Sequence, residues 1–250
     1  FRIGLSSIAC SILYFTGYAA YNIEATKIIP ETMPALGFIC LFIISEFIIA
    51  YTITFRSEVM TSFAYFLSFL SISINETGEF NFYSMITMIL LAISLIYIMN
   101  RMKWKYLTGL GLLFSYFNYF LYSVSLPRSE KGFILRGIES NPTDYFIQAF
   151  LFLFIFWTIF IVSTFTVKTN NKKDERIITL INITNAFTFF GFITYIRPEP
   201  TEWGGFLLIG SIGIIYIFLS YFSKRKNIQG LYISNLIIGT AFITLAIPLK

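Results

Sequence analysis

One carboxylate in this sequence sits where carboxylates are rare. Glu46 lies within Phe42-Ile43-Ile44-Ser45-Glu46-Phe47-Ile48-Ile49, among side chains that offer it neither charge nor water. A carboxyl group in such surroundings is costly unless it is protonated, paired or hydrated. Two chemistries fit it. One is a proton or cation site whose charge changes during a transport cycle. The other is a neutral carboxyl hydrogen-bonded to a Ser, Tyr or Asn of a neighbouring helix, acting as packing glue. The remaining strongly polar side chains in apolar stretches are the amides Asn118, Gln148, Asn182, Asn185 and Asn235. Asn182 and Asn185 are three residues apart and share one helix face, where they line a polar cavity or bond across helices. Glu46, Asn118, Asn182 and Asn185 form the candidate intramembrane polar site. No catalytic residue, metal ligand or cofactor is expected: the chain has no His, and its two Cys, Cys10 and Cys40, lack the spacing of a metal site or an obvious disulfide.

The elements that must carry these groups follow from composition. Of 250 residues, 56% are hydrophobic, 20% aromatic and 12% charged, with a mean hydropathy of +0.74. A water-soluble domain carries about a quarter charged residues, so this chain asks for a non-aqueous solvent. A span needs about 20 mainly apolar residues, and nine stretches qualify: 3–21, 36–53, 59–74, 84–99, 107–126, 145–167, 177–195, 205–222 and 231–247. They are apolar all round rather than alternating, which disfavours a membrane β-barrel. Helices are what remains, because lipid offers the backbone no hydrogen-bond partners. The fold class is therefore all-α, a polytopic transmembrane helix bundle of about nine spanning helices, read as one transmembrane domain over 1–250.

Charge gives an orientation. If connectors alternate between two sides, one side collects twelve of the 18 cations, among them Arg56, Arg101, Lys103, Lys105, Lys172, Arg176, Lys224 and Arg225. The other side holds Lys27, Arg128, Lys131, Arg136, Arg197 and Lys250, with most of the acids. The excess of Lys and Arg marks the cytoplasmic side, so the N-terminal end is expected in the cytoplasm and the C-terminal end outside. The formal net charge of +5 then points to anionic lipid headgroups at the inner loops and not to nucleic acid. Trp104, Tyr106 and Trp203 fit an interfacial aromatic belt. Asn75-Glu76-Thr77 is a short glycosylation pattern on the outer side. The longest loop, 127–144, carries the apolar knot Gly132-Phe133-Ile134-Leu135-Arg136. The chain opens on Phe and stops directly after a hydrophobic run, which reads as a fragment of a longer protein.

Ile96-Tyr97-Ile98, followed by basic residues and Gly109-Leu110, is echoed by Ile215-Tyr216-Ile217, Lys224-Arg225-Lys226 and Gly230-Leu231. This spacing suggests a parallel four-helix repeat, 36–126 and 145–247. Gly109, Gly111, Gly205, Gly210 and Gly213 are expected to permit close helix approach.

Three further patterns stand out: Leu13-Tyr14-Phe15-Thr16-Gly17-Tyr18-Ala19-Ala20-Tyr21, the unit around Lys103-Trp104-Lys105-Tyr106-Leu107, and Thr240-Ala241-Phe242-Ile243-Thr244-Leu245-Ala246-Ile247-Pro248-Leu249. With them the chain resembles the bacterial and archaeal membrane proteins grouped as domain-of-unknown-function family 2339 (DUF2339). The resemblance implies an internal portion of a longer polytopic protein and transfers no catalytic residue.

Three functions compete. The first is transport, permeation or another cell-envelope role carried by the helices themselves. The second is a membrane-embedded enzyme acting on lipid-linked substrates, disfavoured because such enzymes rely on His or clustered acids and cations. A structural or sensory scaffold is the third. A retinal-type protein is disfavoured because no Lys lies inside a span.

Overall fold

The structure, a computed structural model, describes residues 34–74, 82–125, 128–129, 132–133, 142–166, 171–196 and 204–247, together with the helical Ile12, Leu13, Phe15, Thr16 and Ala19. The rest of the first predicted span, Cys10, Trp203, the 75–77 pattern and most of the 127–144 loop lie outside the described residues. Beyond those first helical residues, eight helices follow one another among the described residues: α1 (Pro34–Thr54), α2 (Glu58–Ile74), α3 (Phe82–Met102), α4 (Lys105–Ser125), α5 (Pro142–Thr166), α6 (Lys172–Ile196), α7 (Gly204–Arg225) and α8 (Gln229–Ala246). A two-residue antiparallel ladder, β1 (Arg128–Ser129) with β2 (Gly132–Phe133), pairs Arg128 with Phe133 and Ser129 with Gly132. The protein is a helical membrane bundle.

Six helices, α1, α3, α5, α6, α7 and α8, are long and apolar enough to cross a membrane. The expectation of nine is corrected to about six among the described residues. Two reasons are physical. The helix α2 has only 17 residues, short of a full hydrocarbon thickness at 1.5 Å per residue. α4 has 21, but Thr108, Ser115, Asn118, Ser123 and a series of tyrosines dilute its apolar content.

The pattern of burial is that of a protein dissolved in hydrocarbon. Phe47 is 68% exposed and Ile214 63%, while Ser68, Ser84, Ser115, Asn182, Asn185 and Asn235 are fully buried. In water this distribution would expose apolar surface and bury hydrogen-bonding groups, the reverse of what water favours. In lipid it is the stable one, since a polar side chain finds its partners only inside the bundle.

The chain divides into two compact units, Phe1–Leu126 and Pro127–Lys250. In the first, α1 packs on α2 and α3, and α4 packs on α2 and α3. α2 and α3 also touch each other. In the second, α5 packs on α6, α6 on α8, and α7 on α8. Prolines open α1 and α5, where a missing N–H leaves no extra donor unpaired. Left-handed residues turn the chain after α1, α3 and α7: Arg56 (φ 50°), Lys103 (φ 62°) and Asn227 (φ 57°). These are helix C-caps of the αL type. After α7 the turn is closed by Ile228 N–H donating to the Ser223 carbonyl at 3.1 Å.

The same kind of contact holds the start of the fourth helix in each unit. The Glu58 carboxyl, in the first turn of α2, faces the backbone N–H groups of Leu107 and Tyr106 at the start of α4. Glu175, in the first turn of α6, accepts a hydrogen bond through Oε1 from the Gly230 N–H at the start of α8. Each places an anion against unsatisfied helix N–H donors and the positive end of the helix dipole.

The closest helix approach is between α7 and α8. A Cβ on Gly213 would stand 2.9 Å from the Gly239 carbonyl oxygen and 2.8 Å from Ile243 Cγ1. Reciprocally, a Cβ on Gly239 would stand 2.9 Å from the Gly213 oxygen and 2.8 Å from Ile217 Cγ1. Gly210 makes ordinary contact with Ala246, and Gly205 is buried. Gly111 faces the flexible end of Leu95. The expectation of close approach at Gly109 is not met, because a Cβ there meets nothing within 4 Å. Gly213→Ala and Gly239→Ala are each expected to destabilise the protein by about 1–3 kcal/mol by prising the helices apart. Gly109→Ala is expected to be neutral or to stabilise by up to about 1 kcal/mol through helix propensity. Thermal unfolding of the detergent-solubilised variants checks both.

Candidate functional site

Three helices of the first unit bring polar groups to a common level. Glu46 lies eight residues before the end of α1 at Thr54, and Ser94 lies eight before the end of α3 at Met102. Tyr65 lies seven residues after Glu58, the start of α2. Because α2 runs back from the end where α1 and α3 finish, the three residues meet in one layer. The half-buried Glu46 carboxyl faces the Ser94 side chain. Ser94 Oγ is 2.9 Å from the Tyr65 hydroxyl and donates to the Leu91 carbonyl at 3.1 Å. Glu46 Oε1 is buried and has no hydrogen-bond partner among the described residues.

This arrangement leaves Glu46 with acceptor capacity to spare inside an apolar helix. A carboxyl in that state has two ways of lowering its energy: it holds a proton, or it draws in a cation or water. The hydroxyls of Ser94 and Tyr65 extend the polar path by two groups. One helical turn closer to the basic end, a groove opens between α1 and α3, with Ala50 and Ile98 each four residues beyond Glu46 and Ser94.

The candidate Asn118 is elsewhere. It is buried on α4 and donates Nδ2 to the Phe114 carbonyl of its own helix at 2.8 Å.

Asn182 and Asn185 belong to the second unit, and both are fully buried on α6. Asn182 Nδ2 donates to Asn235 Oδ1 on α8 at 2.8 Å, and Asn235 Nδ2 donates to Ser223 Oγ on α7 at 3.0 Å. Asn185 Nδ2 donates to the Trp157 carbonyl on α5 at 3.1 Å, and the Trp157 indole donates to the Tyr216 hydroxyl on α7 at 2.9 Å. Trp157 stacks on Phe189 with ring centroids 5.0 Å apart, and Tyr216 meets Phe242 edge-on at 5.8 Å. The amides and the indole together tie all four helices. Asn182 Oδ1 is the one carbonyl oxygen of this set that is buried without a partner.

The four candidates thus divide. Glu46 has its own cluster with Ser94 and Tyr65, Asn118 bonds within α4, and Asn182 with Asn185 anchors a separate network. Ser94, Tyr65 and Trp157 were not singled out by sequence, and Tyr216 only as part of a repeat motif. Neither Ser94 nor the pairing of Trp157 with Tyr216 had a legible signal: the equal distance of Glu46 and Ser94 from their helix ends holds only for the observed ends at Thr54 and Met102. Among the described residues, no group of three His, Cys, Asp or Glu side chains lies together to hold a metal ion.

A family model described as "Predicted membrane protein (DUF2339)" matches residues 2–250. No curated protein and no solved structure matches the chain.

The amide network has a measurable strength. Interhelical hydrogen bonds in membranes are worth roughly 0.6 kcal/mol on average and at most about 1.7. A double-mutant cycle with Asn182→Ala and Asn235→Ala is expected to give a coupling energy of about 1 kcal/mol in reversible detergent unfolding. Asn118→Ala combined with Asn235→Ala is expected to be additive.

Proposed function

The chain belongs to the DUF2339 family of predicted membrane proteins, and on that premise we propose that its helices are themselves the working body of a transport or permeation protein of the cell envelope. Glu46 is the group whose proton or cation occupancy changes during the cycle. The observation that carries this reading is the buried, unpartnered Oε1 of Glu46 in the middle of a spanning helix. Ionisable groups at such depth are expensive, and they mark ion or substrate pathways. Ser94 and Tyr65 supply the adjoining hydroxyls.

The loop charges support an orientation in which the ends carrying Arg56, Arg101 and Arg225 face the cytoplasm. Two four-helix units related as 36–126 and 145–247 are supported by the matching order of helices and by Glu58 and Glu175 facing the starts of α4 and α8. The tyrosines paired by sequence, Tyr97 and Tyr216, have opposite surroundings, one 62% exposed and one fully buried. Helix order therefore carries the repeat better than that motif does. A structural scaffold is the second reading, favoured by the second unit, whose buried amides bond across helices to one another, to Ser223 and to the Trp157 carbonyl.

Proteoliposomes with an entrapped pH-sensitive dye test the transport reading. Under an imposed potassium-driven potential, the wild type is expected to pass protons, and Glu46→Gln to slow that flux at least about tenfold, about 1.4 kcal/mol on the barrier. Glu46→Gln is also expected to insert and fold as the wild type does, because an amide keeps a polar group beside Ser94. Equal flux through the variant, or no flux through the wild type, contradicts the reading.

A further inference from the structure

The groove between α1 and α3 has a chemistry of its own. It encloses about 550 Å³, and its walls include Ala50, Ile53 and Ile98, with Arg56, Arg101 and Tyr97 at its basic end. Neither Arg56 nor Arg101 has a carboxylate partner among the described residues. Arg101 Nη1 donates to the Tyr97 hydroxyl at 3.4 Å, which leaves the phenolic hydrogen to donate onward. Other basic side chains at helix ends are already engaged: Arg225 lies over the Tyr221 ring at 5.0 Å, and Lys226 donates to the Phe165 carbonyl at 2.7 Å.

Two guanidinium groups and a phenol at the mouth of an apolar groove ask for a ligand that is anionic at one end and apolar at the other. Guanidinium forks suit phosphate oxygens bidentately. The groove walls continue along α1 and α3 into exposed apolar side chains, Ile43 and Phe47 on one helix and Leu90 and Ile93 on the other. A free phosphate would use the arginines and leave these walls unused; a zwitterionic lipid would bring its own cation to the arginines. The geometry points to a binding site for an anionic phospholipid, its phosphate held by Arg56 and Arg101 and an acyl chain lying along α1 and α3. This goes beyond the transport reading and does not depend on it, since it asks nothing of Glu46.

The test uses the purified chain in a neutral detergent, with the thermal unfolding midpoint read during titration with phosphatidylglycerol. A ligand that binds only the folded state raises that midpoint. The expected result is a rise with phosphatidylglycerol and no comparable rise with phosphatidylcholine of the same chains or with inorganic phosphate. R56Q/R101Q is expected to weaken the response at least about tenfold, as the loss of charge-assisted hydrogen bonds implies. K224Q/R225Q, which removes the same charge from the end of α7, is expected to leave it unchanged. The proposal is overturned if R56Q/R101Q responds like the wild type, if K224Q/R225Q loses the response equally, or if phosphatidylcholine or inorganic phosphate raises the midpoint as much. Should R56Q/R101Q fail to fold, R56K/R101K decides: a weaker response supports bidentate phosphate binding, and an unchanged one overturns it.

Discussion

Once a helix is in hydrocarbon, packing its leucines against another helix gains little that the acyl chains do not already provide. Association must come from close backbone approach and from hydrogen bonds that lipid cannot replace. Both are concentrated in the second unit. Gly213 and Gly239 face each other so closely that each stands near the other's carbonyl oxygen, which fixes the α7–α8 contact. Asn182, Asn185, Asn235 and Ser223, with Trp157 and Tyr216, then bind α5 and α6 to that pair through buried hydrogen bonds. Few of these side chains would be needed in water, where the apolar faces alone would drive the helices together.

The first unit is organised differently. Besides Glu58 facing the start of α4, its interhelical polar contacts include hydroxyls: Thr61 to Thr52, Thr108 to the Met99 sulfur, and Tyr65 with Ser94. At the level of Tyr65 and Ser94, α1 brings a carboxyl whose needs those hydroxyls only partly meet. Each site leaves one buried oxygen unpartnered among the described residues, Asn182 Oδ1 in the second unit and Glu46 Oε1 in the first, but the amide cannot ionise and the carboxyl can. That contrast is why the functional reading rests on Glu46 and the amides are read as structural.

The fold class was legible from composition because lipid leaves the backbone no choice: an apolar run of this length forms a helix whatever its Ile and Phe would prefer in water. The number of spans was less legible. The apolar runs at 59–74 and 107–126 look alike in sequence, but the first makes a short helix and the second carries enough hydroxyls and tyrosines to fall below a span. The glycines show another limit. Gly109 and Gly213 look equivalent in sequence, yet one meets nothing and the other meets backbone, and Gly239, the partner that matters most, stood out by no local pattern. Polar positions were visible one by one, since any amide or acid among apolar residues is conspicuous. Their partners depend on which helix faces lie together, which periodicity does not encode. Nor could Ser94 be placed opposite Glu46 by counting back from the run ends: the apolar runs end at 53 and 99, seven and five residues beyond the two side chains, and their equal distance of eight appears only with the observed ends at Thr54 and Met102.

The central claim is that the Glu46 carboxyl exchanges protons or cations with water on the side carrying Arg56 and Arg101. Its most direct test is aqueous thiol reactivity. In a background with Cys10 and Cys40 replaced by Ala, Glu46→Cys in proteoliposomes is exposed to a charged, membrane-impermeant thiosulfonate, with Ile48→Cys, a buried neighbour on the same helix, as the control. The account predicts that position 46 is modified from the face carrying Arg56 and Arg101 while position 48 is not. An unreactive position 46, or equal reactivity at both positions, would contradict it.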